Sequence, residues 1–197
     1  MADYFLPLIK EAEIAKDTWA FEFAKPKKFI FKPGQTVDVT VGTMIYTFSI
    51  AASPNESILR IAMRMRKESK FKQALKKIKP GQKVRIQGPS GDFVLPQNTK
   101  KRIILVAGGI GITPFYSMIM SHPKHKISLF YKNSSPSRSA FLDELKTLGI
   151  IHSELVIDRK ALYYIAGPPG FVTKYHAILD SKGINDDNIR TEEFSGY

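Results

Sequence analysis

Between Leu95 and Lys100 the hydrophobic pattern of this chain changes period, and that change excludes one uniform architecture. Ahead of it lie short runs rich in Val, Ile, Phe and Thr: Thr18 to Phe23, Gln35 to Val41, Tyr46 to Ala51, Leu59 to Met65 and Lys83 to Gly88. Pro33-Gly34, Ser53-Pro54-Asn55 and Pro80-Gly81 separate them, the punctuation of a small antiparallel β-barrel or sandwich. One helix interrupts the pattern. Ser69 suits its N-cap, Phe71, Leu75 and Ile78 share a face, and Pro80-Gly81 ends it. From Lys101 onward, compact apolar strands (Arg102 to Val106, Ile127 to Tyr131, Leu162 to Ala166) alternate with helical stretches at Pro114 to Ser121, Ser137 to Leu148 and Pro169 to Ser181. This is the grammar of an α/β domain with a mainly parallel sheet. The polar stretch 95–100 separates the two, giving expected domains of residues 1–97 and 98–197. Glu154 to Ile157 resembles a strand, yet about four residues separate it from Leu162, too few for a parallel crossover. Either the two form a hairpin or one is not a strand.

Composition narrows the chemistry. With 43% hydrophobic residues in 197, the chain can pack real cores. The absence of cysteine excludes disulfides, thiolate zinc sites and cysteine-ligated iron–sulfur clusters, so any electrons handled here need another carrier. The segment Ile103 to Phe115 is broken by Gly108, Gly109, Gly111 and Pro114, and no run approaches a membrane span. Lys10, Glu11, Glu13, Lys16 and Asp17 leave no room for a secretion signal, and a cytoplasmic location is expected. The net charge of +12 suits anions: nucleotides or an acidic protein partner. Nucleic acid is not expected, because the basic residues are spread along the chain without distinguishable surface aromatics between them. His122, His125, His152 and His176 lack metal-ligand spacing and read as surface or structural residues; no metal is expected.

The densest motif is Val106-Ala107-Gly108-Gly109-Ile110-Gly111-Ile112-Thr113-Pro114, directly between a strand and a helix. Glycines there let backbone amides approach a diphosphate, Thr113 can cap the helix, and Pro114 suits its first turn. The spacing is not that of the G-x-G-x-x-G fingerprint. Four further segments accompany it: Phe31-Lys32-Pro33-Gly34-Gln35, Tyr46 to Pro54, Gly88-Pro89-Ser90-Gly91-Asp92-Phe93, and Tyr163 to Gly170. In this order the five resemble the ferredoxin–NADP reductase family. The resemblance implies a flavin-binding β-barrel followed by an NAD(P)-binding α/β domain, with flavin and nicotinamide meeting between them.

It also implies site residues. Tyr46, Thr47, Phe48, Ser49 and Ile50 would line the flavin, Phe48 by packing and Ser49 by its hydroxyl near the reactive nitrogen. Tyr46 stands where the family carries an arginine that neutralises the cofactor's phosphates. Other cations would then hold them, with Arg64, Arg66, Ser69, Lys70 and Phe71 the candidate segment. Gly108, Gly109, Ile110, Gly111, Thr113, Pro114, Gly167 and Pro168 would face the nicotinamide nucleotide, Ala166 replacing a frequent cysteine. Lys132, Ser134, Ser135, Ser137 and Arg138, with no acid before Asp143, lean towards NADPH over NADH. The terminus Glu192 to Tyr197 resembles the family's acidic–aromatic end, where a ring covers the flavin face and must swing away for hydride transfer. Ser49, Glu193, Phe194 and Tyr197 are thus the candidate catalytic residues. The implied activity is hydride transfer from NADPH or NADH to FAD, or to FMN, with electrons passed to an acceptor such as an acidic ferredoxin or flavodoxin. The alternative is a nucleotide- or flavin-binding subunit without efficient turnover of its own.

Overall fold

A computed structural model of the chain describes residues 2–122 and 126–194. Its first half is a six-stranded antiparallel sheet built from β1 (Ala2–Ala15), β2 (Thr18–Ala24), β3 (Thr36–Val41), β4 (Met44–Ser49), β5 (Ile58–Arg64) and β6 (Lys83–Ser90), in the order β4-β3-β6-β1-β2-β5. The edge strands β4 and β5 come into contact, and just beyond β4 the Ala51 amide donates to the Arg60 carbonyl at 2.8 Å, so the sheet curls into a barrel. Inside lie Leu6, Leu8, Phe21, Phe23, Val37, Val39, Ile61 and Ile86, each separated from the next inward residue of its strand by one outward residue. β1 is the element the sequence pattern hides. Charged residues punctuate it, because its two halves pair with different neighbours, Ala2–Pro7 with β6 and Leu8–Ala15 with β2. The helix α1 (Lys70–Lys76) follows β5, with Ser69 as its N-cap and Phe71 and Leu75 in the barrel core.

The second half is a five-stranded parallel sheet: β7 (Ile103–Gly108), β8 (Ile127–Lys132), β9 (Ile151–His152), β10 (Leu162–Gly167) and β11 (Ile189–Glu193), ordered β11-β10-β7-β8-β9. Helices α2 (Ile112–Ser121), α3 (Leu142–Lys146) and α4 (Pro169–Ser181) connect the strands. Two local expectations change. The stretch 137–148 is not one helix. A 3-10 turn at Pro136–Arg138 is followed by the five-residue α3, and Phe141 between them sits at φ 60°, where no helix continues. Its ring stacks on Tyr116 at 4.2 Å, a contact a continuous helix would not present. Glu154 to Ile157 is not a strand. Leu155 and Val156 pack on the core beneath α4, and Tyr163 ties the connection down by accepting from the Asp158 amide at 2.7 Å.

The two sheets share a core. Ala20, Ala51 and Ala62 of the barrel pack with Ile110, Ile112, Phe115 and Tyr116, and the buried Ser117 hydroxyl donates to the Ala52 carbonyl at 2.6 Å. Small barrel residues let the first turns of α2 approach closely. That approach sets Ala51 beside Ile110 of the glycine-rich turn and Ala52 beside α2.

Candidate nucleotide and flavin site

Sheet order locates the site before any side chain does. From the central β7 the chain moves outward to β8 and β9, then returns to the other side of β7 for β10 and β11. In open α/β sheets such a reversal opens a crevice at the carboxyl ends of the strands, where ligands bind. Here those ends are Gly108 and Gly167, and a Cβ on Gly167 would sit 3.1 Å from the Gly108 Cα.

The glycines of the turn have different reasons for being glycine. A Cβ on Gly108 would lie 2.6 Å from the Phe171 ring, and one on Gly111 would lie 2.2 Å from the Ala166 carbonyl oxygen. Both are packing glycines, keyed to α4 and β10. Gly109 has φ +57° and nothing within 4 Å of a Cβ position, so it alone in the turn leaves its surroundings open to a ligand. Thr113 does not cap α2: Gly111 is the N-cap, and the Thr113 hydroxyl, on a residue 3% exposed, donates to the Ile110 carbonyl at 3.0 Å. The Ile110 side chain packs in the shared core, and Pro114 is buried in the first turn of α2. Pro168 is exposed and precedes α4.

On the barrel side, Phe48 and Tyr46 both lie against Phe71, with ring centroids 5.7 and 4.5 Å apart. Phe71 and Ile50 belong to the barrel core, so their side chains support the wall instead of forming it. Tyr46 is 45% exposed, and Thr47 turns outward to donate to Asp38 at 2.6 Å. Ser49 is 3% exposed and its Oγ has no hydrogen-bond partner among the described residues. A buried hydroxyl left unpaired is costly, and a ligand or water that bonds it offsets that cost.

The cations are placed in ways that spacing did not show. Arg64 donates through Nη2 to Asn133 Oδ1 at 3.1 Å across the junction, while its Nε is buried with no hydrogen-bond partner among the described residues. Burial, then the nearby Arg138, lowers its pKa. Arg138 donates to Asp17 Oδ2 at 3.0 Å, and its carbonyl accepts from Asn133 Nδ2. The arginines assigned to two different ligands therefore stand together at one junction. Ser69 Oγ is engaged by the Lys72 amide, while Lys70 and Arg66 are exposed. Lys72, which shares the first turn of α1 with Lys70, is buried at 3% exposure with Nζ donating to the Arg64 carbonyl; burial, then Arg66 and Arg64, brings its pKa down to about 8.

In β11 the register separates the two glutamates. β11 pairs with β10, Glu192 opposite Ala166 and Glu193 opposite Gly167. Glu193 is exposed beside His176 and Asp180 of α4, on the side away from the barrel. Glu192 is the half-buried one. Its Oε2 has no hydrogen-bond partner among the described residues, and burial followed by the like charge of Asp92 pushes its pKa up to about 7. The Phe194 amide donates to the Gly167 carbonyl at 3.0 Å, and the ring packs against the shared core. Tyr197 and His125 lie outside the described residues.

Comparison with known proteins agrees with this geometry. Residues 5–95 match the oxidoreductase FAD-binding domain family. A flavohemoprotein of Bacillus subtilis (strain 168) is 27% identical over 207 residues, covering 83% of this chain and 51% of the relative. The sulfhydrogenase 2 subunit gamma of Pyrococcus furiosus is 29% identical over 176 residues, covering 85% of this chain and 60% of that subunit. The chain thus spans about half the length of several curated relatives it matches. Among solved structures, phthalate dioxygenase reductase superposes with a TM-score of 0.87 at 22% identity, over 100% of this chain and 70% of that one. The FAD/NAD-binding domain of a nitric oxide dioxygenase from Vibrio cholerae gives 0.85 at 19%, over 96% and 98%. Over residues 5–95 the chain resembles the oxidoreductase FAD-binding domain family, and its curled antiparallel sheet followed by a parallel sheet with its switch point at two glycines is the fold of these solved structures.

Proposed function

We propose that this chain is a flavin-dependent oxidoreductase that takes hydride from NADPH or NADH onto bound FAD and hands electrons to a separate acceptor. The observation that carries the reading is the buried Ser49 Oγ, without a hydrogen-bond partner among the described residues, at the end of β4 and two residues before Ala51 of the shared core. The residues present fit a flavin. Phe48 supplies a wall, Ser49 a hydrogen bond, and Arg64 with Lys72 a positive field for phosphates in place of the arginine that Tyr46 supplants. When bound, the flavin would supply the redox chemistry, which no side chain of this cysteine-free protein provides. The protein's own part is to orient: Gly109 admits the nucleotide, Gly111 holds the turn to β10, and the Phe194 backbone sits beside Gly167. Glu192, with a pKa of about 7, can hold or release a proton at neutral pH. The acceptor is an acidic electron-transfer protein such as a ferredoxin or flavodoxin, favoured by the net charge of +12.

Purified protein titrated with FAD, then with NADPH and NADH under anaerobic conditions, is expected to show flavin bands that bleach. Flavin that binds without bleaching favours the subunit role, and no flavin binding overturns the reading. Ser49→Ala is expected to leave thermal stability within about 0.5 kcal/mol, since it removes a hydroxyl the protein itself does not satisfy. The same change should slow nucleotide-driven bleaching about tenfold or more, measured by stopped-flow absorbance.

A further inference from the structure

The parallel sheet has a second concavity, at the end away from the crevice. Because β7, β8 and β10 run parallel, the segments entering them converge opposite Gly108 and Gly167. Six-residue strands put roughly 20 Å between the two ends. The hollow there measures about 670 Å³ and gathers Lys100, Lys101, Arg102, Lys126 and Lys160 around the single acid Asp158.

Nothing in the fold discharges these five cations. None of them takes part in an ion pair among the described residues. Those that are anchored are anchored by neutral groups: Lys101 Nζ donates to Asn188 Oδ1 at 3.0 Å, and Arg102 Nε to Ser128 Oγ at 3.1 Å. Asp158 already uses Oδ1 to accept the Lys160 amide at 2.9 Å. Five cations around one acid leave a net excess of like charge, and an anionic occupant relieves its repulsion. Beyond the Lys101–Asn188 contact, Asn188 also lines a neighbouring hollow of about 350 Å³, with Val94, Leu95, Pro96, Leu162 and Tyr164 as its apolar side and Asp187 and Arg190 at the Asn188 side. A basic floor thus adjoins an apolar wall.

We propose that this groove docks an acidic peptide segment of a partner protein, its carboxylates on the lysines and an apolar side chain in the neighbouring hollow. The adjoining apolar wall favours a peptide over nucleic acid, as does the lack of an exposed aromatic ring to stack bases: Tyr164, the one ring there, is 4% exposed. Seated at the far end of the strands, the segment leaves the crevice free, so the partner is tethered without blocking nucleotide entry. The proposal does not depend on the flavin reading.

The test uses a fluorescein-labelled peptide of repeated Glu-Glu-Leu and its anisotropy with the full chain at low and physiological salt. Lys101→Glu, Lys126→Glu and Lys160→Glu combined should weaken binding about tenfold or more. A control reversing the exposed barrel residues Lys27, Lys79 and Lys83 carries the same net charge and should stay within about twofold. Carbodiimide coupling of the peptide to the unaltered protein should map to Lys100, Lys101, Lys126 or Lys160, a readout that needs no variant. Equal weakening by both triples, coupling confined to other lysines, or tighter binding of a single-stranded oligonucleotide than of the peptide overturns the proposal.

Discussion

Gly111→Ala is expected to slow reduction of bound flavin by NADPH about a hundredfold while FAD still binds stoichiometrically. The new Cβ would stand 2.2 Å from the Ala166 carbonyl oxygen, 2.5 Å from its carbon and 2.7 Å from the Gly167 nitrogen. These are backbone atoms of a central strand and have no rotamer to relieve the clash. Either the turn lifts away from β10 or β10 shifts, and both motions open the crevice between Gly108 and Gly167. The stability cost should be roughly 2–3 kcal/mol, the range for overpacking a close contact. Gly109→Ala is the instructive comparison, because its Cβ meets nothing within 4 Å and its cost is confined to the backbone conformation at φ +57°. Stopped-flow absorbance with flavin titration separates the two effects. A Gly111→Ala protein that bleaches at the unaltered rate would show that the turn's seat on β10 does not position the nucleotide.

Glu192→Gln is expected to remove a pH dependence, both in the stability of the flavin-free protein and in its turnover. The folded-state pKa of about 7 lies above the ordinary carboxylate value, so between pH 4.5 and 7 the folded form binds the extra proton. The stability this contributes is therefore fully present below pH 4.5 and is lost as pH rises through 7. Part of the carboxyl group still meets solvent, which reduces the effect to about 1–2 kcal/mol. Glutamine, which cannot ionise, should flatten that slope in chemical denaturation at a series of pH values. With flavin bound, an acid limb near pH 7 in the bleaching rate should disappear in the same variant. Glu193→Gln should change neither, since Glu193 faces α4 and solvent.

Much of this was legible from residue order. The strand runs, the glycine turn and the helix at Pro169–Ser181 follow from apolar periodicity and from glycine and proline, which act locally. β1 escaped because its two halves serve different neighbours, and Phe141 broke a helix for the sake of a ring contact with Tyr116. The site divided the same way. Ser49 and the glycine-rich turn as a whole stand out from motif chemistry, whereas nothing in the sequence sets Lys72 apart from Lys70 or Glu192 apart from Glu193. Lys72 matters because α1 folds it under Arg64, and Glu192 because strand register turns one of two adjacent glutamates inward and the other out. The sequence by itself determined which segments become strands and helices, and that electrons need a borrowed carrier, since both depend on residues near one another or absent altogether. Only the tertiary structure decided which glycine is open, which glutamate is half-buried and which cations stand together. Those properties come from contacts between distant segments, and burial and electrostatics act through space rather than along the chain.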